Sequence, residues 1–149
     1  MSPPARGNPP LGGQQRYAPG DRLRARSDFR RVQRHGVKVH TRSFLVMVHV
    51  SSATPAHARL GITVTRKVGN AVRRNRIKRV VREVFRRNRQ VFPAADLVFV
   101  AKRDAGADLG YDQVLREVRG AERALRRAGE KAASQAAARP EARPTSRPN

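Results

Sequence analysis

The chain contains no cysteine and no tryptophan. The first absence excludes disulfide staples and every zinc finger or ribbon built on thiolates. With two tyrosines and five phenylalanines, any stacking on nucleobases must rest on few rings. Long apolar runs are also missing. The longest, Phe44 to Val48, falls far short of the roughly 20 residues a spanning helix needs. The opening "MSPPARGNPPLGGQQ" has no apolar core of the kind a secretory signal requires. A reducing, cytoplasmic setting without membrane contact is therefore expected.

Acids are the scarcest class relative to need. Eleven Asp and Glu face 33 Lys and Arg over 149 residues, a net charge of +22. Such an excess concerns partners rather than fold, because a protein this basic gathers polyanions around itself.

The ends differ from the middle. Residues 1–20 hold five prolines and four glycines with almost nothing to bury, and residues 129–149 finish in three Arg-Pro pairs. Both read as disordered extensions flanking one domain over residues 21–128. Within it, Ser27 is the expected N-cap of a helix over Asp28 to His35, stopped by Gly36. Val37 and Val39 suggest a brief strand, Phe44 to Val50 a buried one, and the alternation in "RLGITVT" (Arg59 to Thr65) a half-buried one. A long helix capped by Asn70 runs to about Arg89. Asp96 to Ala101 forms a fourth strand, and Tyr111 to Ala128 a last helix. The order α-β-β-β-α-β-α predicts an α+β fold, a two-layer α-β sandwich with disordered tails.

The span from Arg66 to Arg89 holds eleven of the basic residues and one acid, Glu83. Projected at about 100° per residue, Ile77, Val80, Val81, Val84 and Phe85 fall on one arc, with Lys78, Arg79, Arg82 and Arg86 opposite. Lys78, Arg82 and Arg86 follow at i, i+4 spacing, which sets like charges side by side and destabilises an isolated helix. Phosphates would neutralise such a ridge and release counterions, and arginine adds bidentate contacts. Gly69 permits a tight turn into the helix. Backbone amides at its start, beside Arg66, Lys67, Arg73 and Arg74, make an anion site.

The string "RKVGNAVRRNRIKRVVRE", Arg66 to Glu83, closely resembles the signature helix of bacterial ribonuclease P proteins, with Arg74-Asn75-Arg76 as its central triplet. The resemblance extends more weakly from about Arg22 to Arg126, through "RLRARSDFRRVQRHG", "RSFLVMV", "RLGITVT" and "DLVFVAKRDA". It implies an α-β sandwich of the type seen in a ribosomal small-subunit protein domain. It implies RNA partners as well: a large catalytic RNA that removes the 5′ leader of precursor tRNA with magnesium ions, and the precursor itself. No cofactor of the protein's own and no obligate protein partner are implied.

Carried over by position, Arg66, Lys67, Asn70, Arg73, Arg74, Asn75, Arg76, Lys78, Arg79 and Arg82 would meet the catalytic RNA. Phe29, Gln33, Arg42, Phe44, Lys102 and Arg103 would meet the leader. Phe29 has two readings, a stacking ring or a core residue, since it shares a face with Val32. The family commonly carries a second aromatic where this chain has Gln33. Tyr111 matches a family tyrosine with a structural role.

A self-sufficient nuclease would need clustered carboxylates or paired histidines. The acids here sit singly at element ends, and His35, His40, His49 and His57 show no ligand spacing. A general nucleic-acid chaperone is the binding alternative. A helix-turn-helix reader fits worse, since no helix closely precedes the basic one.

Overall fold

The computed structural model describes residues 18–106 and 109–138. Eight elements follow in order: α1 (Arg26–His35), β1 (Val37–His40), β2 (Phe44–His49), β3 (Arg59–Thr63), α2 (Ala71–Arg87), β4 (Asp96–Ala101), α3 (Tyr111–Gly120) and α4 (Glu122–Ala137). The four strands form one sheet in the order β1-β2-β4-β3. Only the β3–β4 pair is parallel, and α2 makes the crossover between them. The fold is the expected α+β sandwich.

Strand alternation sorts side chains onto two faces. Phe44, Val46 and Val48 of β2 with Leu97 and Phe99 of β4 point into the main core, against Ile77, Val81, Val84 and Phe85 of α2. Val114 and Val118 of α3 and Leu125 and Ala128 of α4 complete that layer. Four of the five phenylalanines run through it in sequence: Phe44 to Phe99 at 5.5 Å, Phe99 to Phe92 at 6.2 Å and Phe92 to Phe85 at 5.1 Å between ring centroids. Each such ring is worth about 1.5–3 kcal/mol of burial. Met47, Val98, Leu45 and Val100 point the other way, where α1 covers them through Val32 and Phe29, helped by Leu23 just before that helix.

Charge inside the domain is paired. Asp96, fully buried, accepts from Arg59 Nε and Nη2 at 2.7 and 2.9 Å and from Thr54 Oγ1 at 3.0 Å. The hydrogen bond to Asp96 raises the Arg59 pKa further. Glu117 of α3 accepts from Thr41 Oγ1 at 2.8 Å, and from Ser43 N and Oγ at 2.9 and 2.7 Å. Burial pushes its carboxyl up, but hydrogen bonds from Gln113, Ser43 and Thr41 outweigh that and hold it below the ordinary range.

Four expectations need correction. The first helix begins at Arg26, with Ala25 as N-cap and no side-chain cap bond. The Ala25 carbonyl accepts from Asp28 N and Phe29 N at 3.0 and 3.3 Å, so Ser27 lies inside the helix. The last helix is two helices meeting at Ala121 (φ −100°, ψ 6°), just after Gly120. Residues 129–137, assigned to a tail, continue α4, because Gly129 and Ala132 still bury against the core. Residues 18–20, assigned to the amino-terminal extension, belong to a short turn. Asp21 in that turn accepts from Arg89 Nη2 at 2.7 Å. Residues 1–17 and 139–149 of the expected tails lie outside the described residues.

Candidate nucleic-acid interface

Asn70 caps α2 as its sequence predicts: its side chain accepts from Arg73 N at 2.9 Å. The cations that follow divide into three groups. Arg73 donates from Nη2 to the Ala105 carbonyl at 2.6 Å, and Arg74 from Nε to the Gly69 carbonyl at 3.2 Å. Both braces close the start of the helix, so its expected anion site keeps only Arg66 and Lys67 fully exposed. Arg86 pairs with Glu83 at 2.7 Å, with Arg87 at 3.6 Å from the same carboxylate. The hydrogen bond from Arg86 holds Glu83 below its ordinary pKa. Arg86 therefore leaves the predicted cationic ridge, which ends at Arg82.

The remaining cations have no carboxylate partner within 4 Å among the described residues: Arg66, Lys67, Arg76, Lys78, Arg79 and Arg82. Asn75, Arg76 and Arg79 are exposed along one outward row. That row also carries Val72, 78% exposed, the one large hydrophobic residue so exposed among those described.

Lys78 and Arg82 turn aside from this row. They line a cavity of about 190 Å³ at the outer edge of β3, together with Phe29, Arg22, Arg24 and Gly61. Resemblance assigned Phe29 to one RNA and these two cations to another; the fold brings them to one concavity. Gly61 is what admits the ring. A Cβ there would lie 2.6 and 2.7 Å from Phe29 Cε1 and Cζ, so any other residue displaces it. Phe29 itself is half-buried, which joins its two readings: it packs on Leu23 and Val98 and still borders the cavity.

Gln33 is exposed one turn beyond Phe29. At the far end of the sheet, Lys102 N donates to the Ser43 carbonyl at 2.8 Å and Lys102 Nζ to the Thr41 carbonyl at 2.7 Å. Lys102 is thereby a fastener between β4 and the β1–β2 turn, while neighbouring Arg42 and Arg103 stay exposed. Phe44 does not belong with them. It is fully buried against Phe99, because its place in β2 points it into the main core. Tyr111 is structural: its Oη accepts from Asn88 Nδ2 at 3.1 Å beyond the end of α2.

Three lining residues had not been singled out from sequence. Gly61 carried no local signal, since its role is a contact with α1. Arg22 and Arg24 flank buried Leu23, an alternation that marks an edge segment. Arg22 bridges to Leu60 beside β3.

No described helix is long and apolar enough to cross a membrane, and no three His, Cys, Asp or Glu among the described residues group as a metal site.

Fold and surface together define a small α-β sandwich that pairs its buried carboxylate Asp96 with Arg59. Along α2 and its entrance it carries a run of cations without carboxylate partners among the described residues. The ribonuclease P family model matches residues 18–128. The ribonuclease P protein component of Syntrophus aciditrophicus is 40% identical over 66% of this chain and 81% of its own. That of Geobacter sp. (strain M21) is 41% identical over 70% and 88%. Among solved structures, the RNase P protein from Thermotoga maritima superposes with a TM-score of 0.61 at 34% identity, covering 71% of this chain and 96% of that one. The Staphylococcus aureus RNase P protein gives 0.60 at 34%, covering 67% and 90%. The chain belongs to the ribonuclease P protein family, the protein components of a ribonucleoprotein of tRNA processing.

Proposed function

We propose that the outward row of α2 docks the catalytic RNA of ribonuclease P, while the α1 side of the sheet holds the single-stranded 5′ leader of precursor tRNA. The observation that carries this is the set of unneutralised cations from Arg66 to Arg82, in a domain that pairs its buried carboxylates so thoroughly. In this scheme Asn75, Arg76 and Arg79 meet phosphates, with Arg66, Lys67 and Asn70 at the helix entrance. Arg73 and Arg74 act mainly by bracing that entrance.

The leader would enter the cavity at β3, stack a base on Phe29 and pass Gln33. It would then cross half-buried Leu45 and Val100 toward Arg42 and Arg103. Lys78 and Arg82 border both surfaces and would hold leader phosphates where the two RNAs approach each other. Lys102 would shape the exit rather than bind.

The described residues do not fit a magnesium site, since no three His, Cys, Asp or Glu among them come together and the buried Asp96 is engaged by Arg59 and Thr54. The chain's part in the reaction is then to bind and orient, with bond cleavage assigned to the RNA and its magnesium ions.

The test uses the full-length chain with a cognate catalytic RNA. The chain alone should cleave no precursor tRNA and should restore cleavage by the RNA at low magnesium. Cleavage by the protein alone would refute the assignment. Arg76→Ala/Arg79→Ala should flatten the log-log salt dependence of binding to the catalytic RNA by about 0.7–0.9 for each phosphate no longer neutralised. An unchanged slope would remove α2 from that interface.

A further inference from the structure

The cavity at Phe29 is not the molecule's largest. A groove of about 340 Å³ lies between the outer edge of β1 and α4. Its floor is apolar: Val37 and Val39 of the strand meet Ala124 and Ala128, whose short side chains leave the space open. Its helix wall is cationic, with Arg127 and Lys131 one turn apart on α4. Lys38 and His40 border the groove from the strand, but alternation turns their side chains, like those of their partners Met47 and Leu45, toward the α1 face.

Arg127 and Lys131 are both exposed, and neither has a carboxylate within 4 Å among the described residues. Arg126, which lies off the groove, is by contrast held by Glu122 at 3.0 Å. β1 ends the sheet, so its outer backbone edge pairs with no described strand. An open edge normally invites strand pairing, and here Lys38 stands on it, a charge that discourages such pairing. The family match stops at Ala128, whereas α4 runs to Ala137 and carries Lys131 past that limit.

We propose that this groove is a second foothold for the catalytic RNA, with phosphates on Arg127 and Lys131 and a ribose or base over the alanine floor. The proposal rests on the docking of that RNA at α2. Both sites belong to the same side of the molecule: α2, α3 and α4 all pack on the sheet face opposite α1. A folded RNA lying on α2 reaches α4 without rounding the sheet, whereas a leader held at α1 does not. A second copy of the chain is a poor occupant, because each carries a charge of +22.

The test measures binding of the full-length chain to the catalytic RNA alone and, separately, to precursor tRNA alone, across a range of salt. Arg127→Gln/Lys131→Gln is compared with the charge-matched pair Arg116→Gln/Arg119→Gln, which lies off the groove on α3. The groove pair should weaken catalytic-RNA binding about tenfold and flatten its salt slope by about 1.4–1.8, the amount expected for two phosphates. The control pair should change either by less than half as much. Equal effects in the two pairs would overturn the proposal. So would a loss seen only with precursor tRNA, or only with an acidic peptide as ligand.

Arg76→Ala/Arg79→Ala in the same assay separates the two ideas. A loss there without a loss in the groove pair sinks the groove alone, and the reverse sinks the α2 dock. The lack of native cysteine permits a second measurement. An iron chelate tethered through Gln135→Cys, one turn beyond Lys131, should cut the catalytic RNA backbone nearby. Absence of cuts in that RNA would count against the groove.

Discussion

On one face of the sheet Phe44 meets Phe99 at 5.5 Å and is sealed from water. On the other, Phe29 lies half-exposed on Gly61, in a cavity shared with Lys78 and Arg82. The side chains are identical, and both faces are drawn from alternate residues of the same strands. Three helices seal the first face, and one short helix covers part of the second. A packed face supplies cohesion because its apolar atoms leave water completely. A partly covered face keeps an apolar floor beside charge, which suits a ligand that is itself part apolar ring and part phosphate.

The comparison is broken most forcefully at Phe44. Phe44→Ala should cost about 3–5 kcal/mol of stability in urea unfolding, while the protein that remains folded keeps its preference for precursor over mature tRNA. Loss of that preference in the folded fraction would mean that Phe44 serves the ligand after all. Phe29→Ala should show the opposite balance. Without a stacked base, precursor binding should weaken relative to mature tRNA by about 1–3 kcal/mol, measured in the complex with catalytic RNA. Its stability cost should be smaller than that of Phe44→Ala. An unfolding penalty as large, with unchanged discrimination, would make Phe29 a core residue only.

Glu117 sharpens the comparison at the turn beside Arg42. Its carboxyl is held below the ordinary value of 4.5, so the charged form is favoured by folding. That contribution is present above the unfolded-state pKa and is lost as pH falls through the lower folded-state value. Glu117→Gln should therefore remove part of the acid-side fall in stability below about pH 4.5. At neutral pH it should cost about 1 kcal/mol through weakened hydrogen bonds. Acid unfolding curves that superimpose for the two proteins would show that other carboxylates govern that limb.

Much of the architecture could be read from residue order. Alternation in "RLGITVT", the run at Phe44 and the stretch from Asp96 each marked a strand, and Asn70 marked the start of α2. Local signals misled where two were equivalent: Ser27 looked like a cap, but Ala25 already supplied the first helical carbonyl. Residues from Gly129 onward read as a tail because the packing of Gly129 against Pro93 is not a local property; a Cβ there would lie 2.6 Å from the proline. The cationic site was half legible. A helical projection separates apolar from charged arcs, yet it cannot distinguish Arg79, which faces outward, from Arg73 and Arg86, which are engaged with Ala105 and Glu83.

Sequence alone determined the strand periods, the caps at Asn70 and Gly36, and the excess of positive charge, since these depend on neighbours within a few residues. It also carried the family signature from Arg66 to Glu83. Only the tertiary structure decided which cations remain unpaired, that Lys78 and Arg82 share a cavity with Phe29, and that Phe44 is sealed away. Those outcomes depend on contacts between residues tens of positions apart, set by which face of the sheet each helix covers.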